Sequence, residues 1–451
     1  MSTTILWFRR DLRLSDHPAL VEAVQAAGSD GQVVALFCVD ERLWGPAGAN
    51  RRAFLLGCLR ALNETIGGRL VLRAGDPVAV VAAVAAEADA SRIFVTADFA
   101  PYGTERDERV ERALADAGRV LVRVGSPYAV EPGTVLNGSG QPYKVFTPYS
   151  KAWRNRGWPT SINAPRSVRW AELPSDPWPE AAASAAVQPE PGETAAKLVA
   201  RRFYDHHLAD YLEQRDTPGA DATSRLSPYL KWGCIHPRQL LKKLGASRAE
   251  QTFCTELCWR EFYADVLHHQ PETARSAFNP AMAAMEVDDV GTGAPFDAWC
   301  AGRTGYPIID AGMRQLVAEG FMHNRVRMLA ASFLVKDLHL GWSRGARFFM
   351  QHLLDGDLAS NQHGWQWVAG TGTDASPYFR IFNPTTQGER FDPNGTYVRR
   401  WVPELAAVTD KYVHRPWDEP TGAPAAYPAR MLDHAEEREE SLRRYAAARG
   451  R

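Results

Sequence analysis

At 451 residues the chain exceeds the size at which one hydrophobic core stops growing, so two or more domains are expected. Its 52 basic and 53 acidic side chains leave a net charge of −1, which excludes a polybasic nucleic-acid clamp spread over the whole chain but permits a local basic surface. The six cysteines are scattered, and the closest pair, Cys254 and Cys258, has helical rather than CxxC spacing, which argues against a disulfide framework. Charge breaks up the opening MSTTILWFRRDLRLSDH, and the apolar run VAVVAAVAA at 78–86 is too short to span a bilayer, so a soluble protein of the reducing cytoplasm with no membrane partner is expected.

In chain order, the β-rich runs TILWF, VVALFCV, LVLRAG, RIFVTAD and RVLVRVG alternate with helical stretches such as HPALVEAVQAAG and PVAVVAAVAAEA. Apolar strands separated by helix-length connections predict a doubly wound, Rossmann-like α/β domain with a five-stranded parallel sheet over residues 1–130. No GxGxxG follows the first run, which argues against a dinucleotide held at that turn. Residues 131–195 change character and end in LPSDPWPEAAASAAVQPEPGE, where proline and alanine dominate, so they read as an interdomain linker. From 196 to 451 helical periodicity takes over, predicting a mostly α-helical second domain.

Four stretches of that second half carry polar chemistry. In TSRLSPYLKWG, Ser227 before Pro228 reads as an N-cap, and Thr223, Ser224 and Ser227 add hydroxyls to a helix start whose free N–H groups suit a diphosphate; a simple capped helix is the alternative. In TELCWREFYADVL, Glu256, Trp259, Arg260 and Tyr263 share one helix face, which suits either a cavity that stacks a flat ligand or an ordinary interhelical ion pair. GFMHNRVRMLAASFLVKDL reads as one helix with Val326, Leu329, Ala330, Phe333 and Leu334 toward the core and Asn324, Arg327 and Met328 off that stripe. In DGDLASNQHGWQW, two carboxylates, an asparagine, a histidine and two indoles crowd together; Arg327 is a candidate partner for one aspartate, and no metal is expected at DGD or at His323.

Together with WFRRDLRLSDH, TGYPIIDAGMRQL and PYFRIFNPTTQGERFDPNG, these motifs closely resemble the photolyase/cryptochrome family, and within it the class I cyclobutane pyrimidine dimer DNA photolyases, over essentially the whole chain. The resemblance implies a helical domain that holds FAD through Tyr211, the segment Thr223, Ser224, Arg225, Leu226 and Ser227, Arg260, Arg327 paired to Asp355, Gly356, Asp357 at the flavin ring's N–H edge, and Asn361 over flavin N5. Asparagine there stabilises a reduced flavin without adding charge, whereas plant-type cryptochromes carry an aspartate. The implied reaction is light-dependent: excited, fully reduced FAD gives one electron to a flipped-out pyrimidine dimer, the cyclobutane ring opens, and the electron returns.

The implied partner is damaged DNA, bound by a monomer through Arg215, Glu256, Trp259, Asn324, Arg325, Met328, Trp367, Arg380 and Gln387, with Glu256 on the base edge and Trp259 and Trp367 as flat walls. Trp365 and Trp342 match the family's photoreduction chain, but no third tryptophan stands about ten residues before Trp299, where only Met285, Glu286 and small or acidic residues occur. ADFAPYGTERDERV and RLVLRAGDP resemble members that bind an 8-hydroxy-deazaflavin antenna, preferred here to methenyltetrahydrofolate, with Asp98, Arg51 and Arg52 as candidate ligands. The rival reading is a cryptochrome-like blue-light receptor signalling to a protein; Asn361 and an end shortly after the charged stretch HAEEREESLRRYAAARGR favour repair.

Overall fold

The computed structural model describes residues 2–180, 184, 186–288, 293–374 and 380–450. The five predicted runs form strands β1 (Thr3–Phe8), β2 (Gln32–Val39), β3 (Leu70–Ala74), β4 (Arg92–Val95) and β5 (Val120–Arg123), all parallel in the order β3-β2-β1-β4-β5. Helices α1 (Pro18–Ala27), α2 (Ala49–Thr65), α3 (Pro77–Glu87) and α4 (Pro101–Asp116) supply the crossovers. β1 is central and pairs on both sides, with Thr4 in register with Val33 and with Arg92, and its Ile5, Leu6, Trp7 and Phe8 are almost fully buried. Continuous apolar strands of this kind belong to a sheet covered on both faces.

The chain forms two compact units. One comprises Met1–Ser184, Gln188–Leu208 and Ser224–Pro271; the other comprises Ala185–Val187, Ala209–Thr223 and Glu272–Arg451. The first therefore contains the sheet together with helices from beyond it, among them α5 (Phe146–Arg156), α6 (Ser227–Trp232) and α7 (Arg248–His269). Two buried carboxylates on α7 account for this grouping. Glu261 accepts from the backbone N–H groups of Ala129 (2.6 Å) and Val130 (3.0 Å) and from the Trp153 indole (2.7 Å), while Asp265 accepts from Gly133 N (2.7 Å). Burial pushes Asp265 up to about 6 despite the Gly133 bond, and both carboxyls anchor residues 129–133 through the hydrogen bonds they accept. α7 begins with a capping box in which Ser247 and Glu250 satisfy each other's backbone N–H groups.

In the second unit the core gathers around Trp299, Tyr306, Phe333, Phe349, Trp365 and Tyr397. The stretch expected as one helix from 320 to 338 divides: α8 (Asn324–Ser332) is regular, and Phe333–Asp337 widens into a π-helical turn. The predicted apolar stripe is buried, and the wider turn buries Lys336 and Asp337 as well. The Lys336 ammonium donates to the carbonyl of Arg380, and burial lowers its pKa to about 7. Among the described residues no helix is long and apolar enough to cross a membrane.

A buried lysine titrating near 7 when folded and 10.5 when unfolded binds fewer protons folded than unfolded, so its contribution to stability rises with pH across that window. Lys336→Met should remove a slope of up to ~1.4 kcal/mol per pH unit. Relative to the parent protein, the variant should therefore lose ground steadily from pH 7 to 10 in denaturant melts; parallel stability curves would contradict this.

Candidate flavin and nucleic-acid site

In the second unit, α9 (Trp342–His352) packs against α10 (Leu358–Ala369), and the DGD stretch lies at the start of α10. Asp357 is the N-cap of α10, its carboxylate accepting from Ser360 N at 3.2 Å. Asp355 is 8% exposed; its Oδ2 accepts from Arg327 Nη2 at 3.0 Å, and Arg327 Nε donates to Met322 O at 2.7 Å. Its other oxygen, Oδ1, is buried and has no hydrogen-bond partner among the described residues. A buried carboxylate oxygen left unpaired costs more than a hydrogen bond returns, so this atom fits a donor supplied by a bound group.

Asn361, half-buried on the first turns of α10, donates its amide N–H groups to Ala346 O (3.1 Å) and to Gln362 Oε1 (3.0 Å). Two acceptors fix which end is nitrogen, so the carbonyl is the atom left to accept a bond. Gln362 is held in turn through its Nε2 to Ala274 O at 2.7 Å. On the same helix Trp365 is buried, and its ring meets Phe349 at 4.9 Å and Trp299 at 6.2 Å, both edge-on. Gly345 of α9 makes that packing possible: a Cβ there would stand 2.1 Å from the Trp365 ring. Trp342 and Trp367 are half-buried at the edge of the same core. Residues 289–292, where the third tryptophan would stand, lie outside the described residues.

The other predicted members of this unit lie nearer the surface. Asn324 is exposed at the start of α8, behind His323, whose ring caps Arg325 N; Met328 is half-buried. Arg325 pairs with Asp216 at 2.8 Å and stacks over Phe391. The Arg215 guanidinium lies 5.5 Å from the centre of the buried Tyr211 ring. Gln387 is half-buried and Arg380 exposed; Pro377, Tyr378 and Phe379 of the PYFR motif fall outside the described residues.

In the first unit, Ser224 to Ser227 lead into α6, and the cap differs from the expected one. Leu226, not Ser227, holds the cap position, and Ser227 is already helical. Arg225 adopts the left-handed region at φ 52°, which turns the chain one residue early and buries Leu226 at 1% exposure. The Ser227 hydroxyl, freed from capping, has no partner among the described residues, while Ser224 Oγ accepts from Leu226 N at 3.4 Å. Arg260 donates to Leu230 O of α6 and to Pro127 O, both at 3.3 Å, and stacks on Tyr128, so it braces the segment that follows TSRLS. Glu256 and Trp259 are half-buried on the same side of α7, and Trp259 lies flat against Phe146 of α5.

At the carboxyl ends of β1 and β4 a shallow depression is lined by Arg9, Arg10, Thr96, Ala97, Asp98 and Pro127. This is where strand order reverses in a doubly wound sheet. Burial favours protonation of Asp98, but the guanidiniums of Arg106, Arg9 and Arg10 outweigh it and hold the carboxyl down to about 2. Arg52 lies over Trp44, and its buried Nε has no hydrogen-bond partner; Arg51 precedes it on α2.

Residues 4–167 match the family described as DNA photolyase, and residues 253–447 match the FAD binding domain of DNA photolyase. The deoxyribodipyrimidine photo-lyase of Escherichia coli K12 is 40% identical over 477 residues, covering 100% of this chain and 99% of that one. The chain belongs to the DNA photolyase family. The deoxyribodipyrimidine photo-lyase of Streptomyces griseus is likewise 40% identical, with full coverage of both chains. Among solved structures, a class III photolyase from Agrobacterium tumefaciens superposes with a TM-score of 0.91 at 37% identity, covering 100% of this chain and 98% of that chain. A Synechocystis cryptochrome superposes at 0.88 with 27% identity, covering 98% and 99%. The helical half is thus a photolyase FAD-binding domain, and the unpaired Asp355 oxygen and the free Asn361 carbonyl fit such a cofactor.

Gly345→Ala tests the packing behind α10. The new methyl group would collide with Trp365, destabilising the protein by about 1–3 kcal/mol and altering near-UV circular dichroism while far-UV signal is kept. An unchanged melting temperature would contradict the close approach.

Proposed function

We propose that this chain repairs cyclobutane pyrimidine dimers in DNA, using light and a reduced FAD. The observation that carries the reading is the fixed polarity of Asn361: its N–H groups are taken by Ala346 and Gln362, so a neutral carbonyl is offered where a carboxylate would add a negative charge. A neutral acceptor suits an electron-rich flavin, the state a repair enzyme must keep. When bound and reduced, FAD supplies the electron that opens the cyclobutane ring on illumination and is then returned.

The protein's own residues hold and orient. Arg327 pairs with Asp355 Oδ2, which leaves the unpaired Oδ1 to accept from the cofactor. Asp357 offers a second carboxylate, and Tyr211 and Thr223 to Ser227 supply hydroxyl and backbone donors for ribityl and phosphate groups. Arg260 serves this set from behind, by fixing α6 through Leu230 O. On the substrate side, Glu256 hydrogen-bonds the lesion's base edge, Trp259 and Trp367 give it flat surfaces, and Asn324 and Met328 complete the contact. Arg215, Arg325, Arg380 and Gln387 bind the strand; Arg325 exchanges Asp216 for a phosphate. Trp365 and Trp342 would serve as electron donors toward a flavin held here. An antenna, 8-hydroxy-deazaflavin in preference to methenyltetrahydrofolate, uses Asp98, Arg51 and Arg52. We assign class I on the ordered motif set; the Agrobacterium structure makes class III the alternative. The Synechocystis cryptochrome keeps a second activity in view, light sensing with signalling to a protein.

Anaerobic illumination of the reduced protein with dimer-containing oligothymidylate should restore thymine absorbance, with no recovery in the dark. A flavin-loaded protein that leaves dimers intact under light would overturn the repair reading in favour of sensing. Arg380→Ala should weaken binding to damaged and undamaged DNA alike and reduce the slope of log affinity against log salt by about 1. An unaltered slope would remove Arg380 from the phosphate contacts.

A further inference from the structure

Trp259 is a half-buried side chain on a helix face, where an indole ordinarily samples several orientations. Here its plane is fixed. The Phe146 ring lies parallel to it, with ring centroids 3.5 Å apart and planes 5° from parallel. Phe262, fully buried, stands edge-on to both rings, at 5.7 Å from Phe146 and 5.8 Å from Trp259. Tyr263 closes a further side at 5.4 Å and 40°. A parallel contact at 3.5 Å excludes solvent from the covered face, so the exposure Trp259 retains lies away from Phe146.

Phe146 is itself held by more than this contact. It opens α5, which is bound along α7 by polar groups: the Trp153 indole donates to Glu261 at 2.7 Å, and Arg154 donates to Gln251 Oε1 at 2.6 Å and to Thr255 Oγ1 at 2.9 Å. Tyr149, one turn further on, packs against Phe262 at 5.1 Å. The Phe146 ring is 8% exposed and cannot swing away without breaking this helix pair. Its position thus comes from residues 146–156, a stretch outside the motifs assigned to substrate.

We propose that Phe146 is a positioning residue for lesion recognition: it pins the Trp259 indole in the one plane that stacks against a pyrimidine dimer and blocks the opposite face from taking a base. The proposal rests on the substrate role given to Trp259 above. A pre-set plane spares the ordering that a mobile indole would undergo on binding, which favours the rigid, non-planar lesion over loosely stacked normal bases.

The test is a double-mutant cycle on flavin-loaded protein. Phe146→Ala should raise the dissociation constant for dimer-containing DNA about tenfold, equal to ~1.4 kcal/mol, while affinity for undamaged DNA, flavin content and repair per absorbed photon at saturating substrate stay unchanged. Phe146→Tyr should restore lesion affinity. In a Trp259→Ala background Phe146→Ala should change nothing further. Equal losses on damaged and undamaged DNA, additive losses in the two backgrounds, or an unaffected lesion affinity would each overturn the proposal. If Phe146→Ala fails to fold, Phe146→Leu, which keeps an apolar side chain without the flat ring, decides it by the same comparisons. A parent protein that neither prefers nor repairs dimers would sink the underlying reading, whereas a repairing parent with an indifferent Phe146→Ala sinks only this inference.

Discussion

A buried carboxylate with half of its hydrogen bonds made is the feature around which the helical half is arranged. Arg327 pairs with one oxygen of Asp355, and the other oxygen has no protein partner among the described residues. An apolar pair of equal volume would serve the core at least as well, so the cost of this arrangement points to a ligand. α10 begins three residues later, and its first turns carry Asn361 in a single orientation and Trp365 locked behind Gly345. One segment therefore carries the carboxylates, the neutral acceptor and the indole that the proposed flavin site draws on.

The two compact units divide the work differently from a simple split between sheet and helices. α7 belongs with the sheet because Glu261 and Asp265 accept backbone N–H groups from residues 129–133, and burial keeps both carboxyls raised above their ordinary range. Glu256 and Trp259, proposed above to face the substrate, thereby stand on a helix that is anchored in the α/β half. Placing recognition residues on an anchored helix rather than a loop keeps their geometry fixed.

Much of this was legible in the sequence, for identifiable reasons. Strand runs and their spacing sufficed for the parallel sheet, because short β-branched runs alternated with helix-length connections. The position of Arg327 off the apolar stripe, together with the motif resemblance, anticipated the pair with Asp355. Other features were not legible. The cap at α6 moved to Leu226 because Arg225 takes a left-handed turn that no residue type there announces. The π-helical turn at Phe333–Asp337 breaks the period that made the stretch read as one helix. Phe146 escaped notice because contacts across 113 positions of chain leave no local pattern; its helical neighbours Tyr149 and Trp153 were the available hint. Arg260 and Tyr263 share a face with Glu256 and Trp259, yet the Arg260 donors go to protein carbonyls, a distinction that spacing cannot make.

The most direct measurement of the central claim is titration of flavin-free protein with FAD, comparing the parent with Asp355→Asn. The neutral amide cannot hold the Arg327 ion pair while presenting an anionic oxygen to the cofactor, so the account predicts affinity lowered by at least ~tenfold with the fold retained. FAD uptake at the parental affinity by a folded Asp355→Asn protein would contradict it.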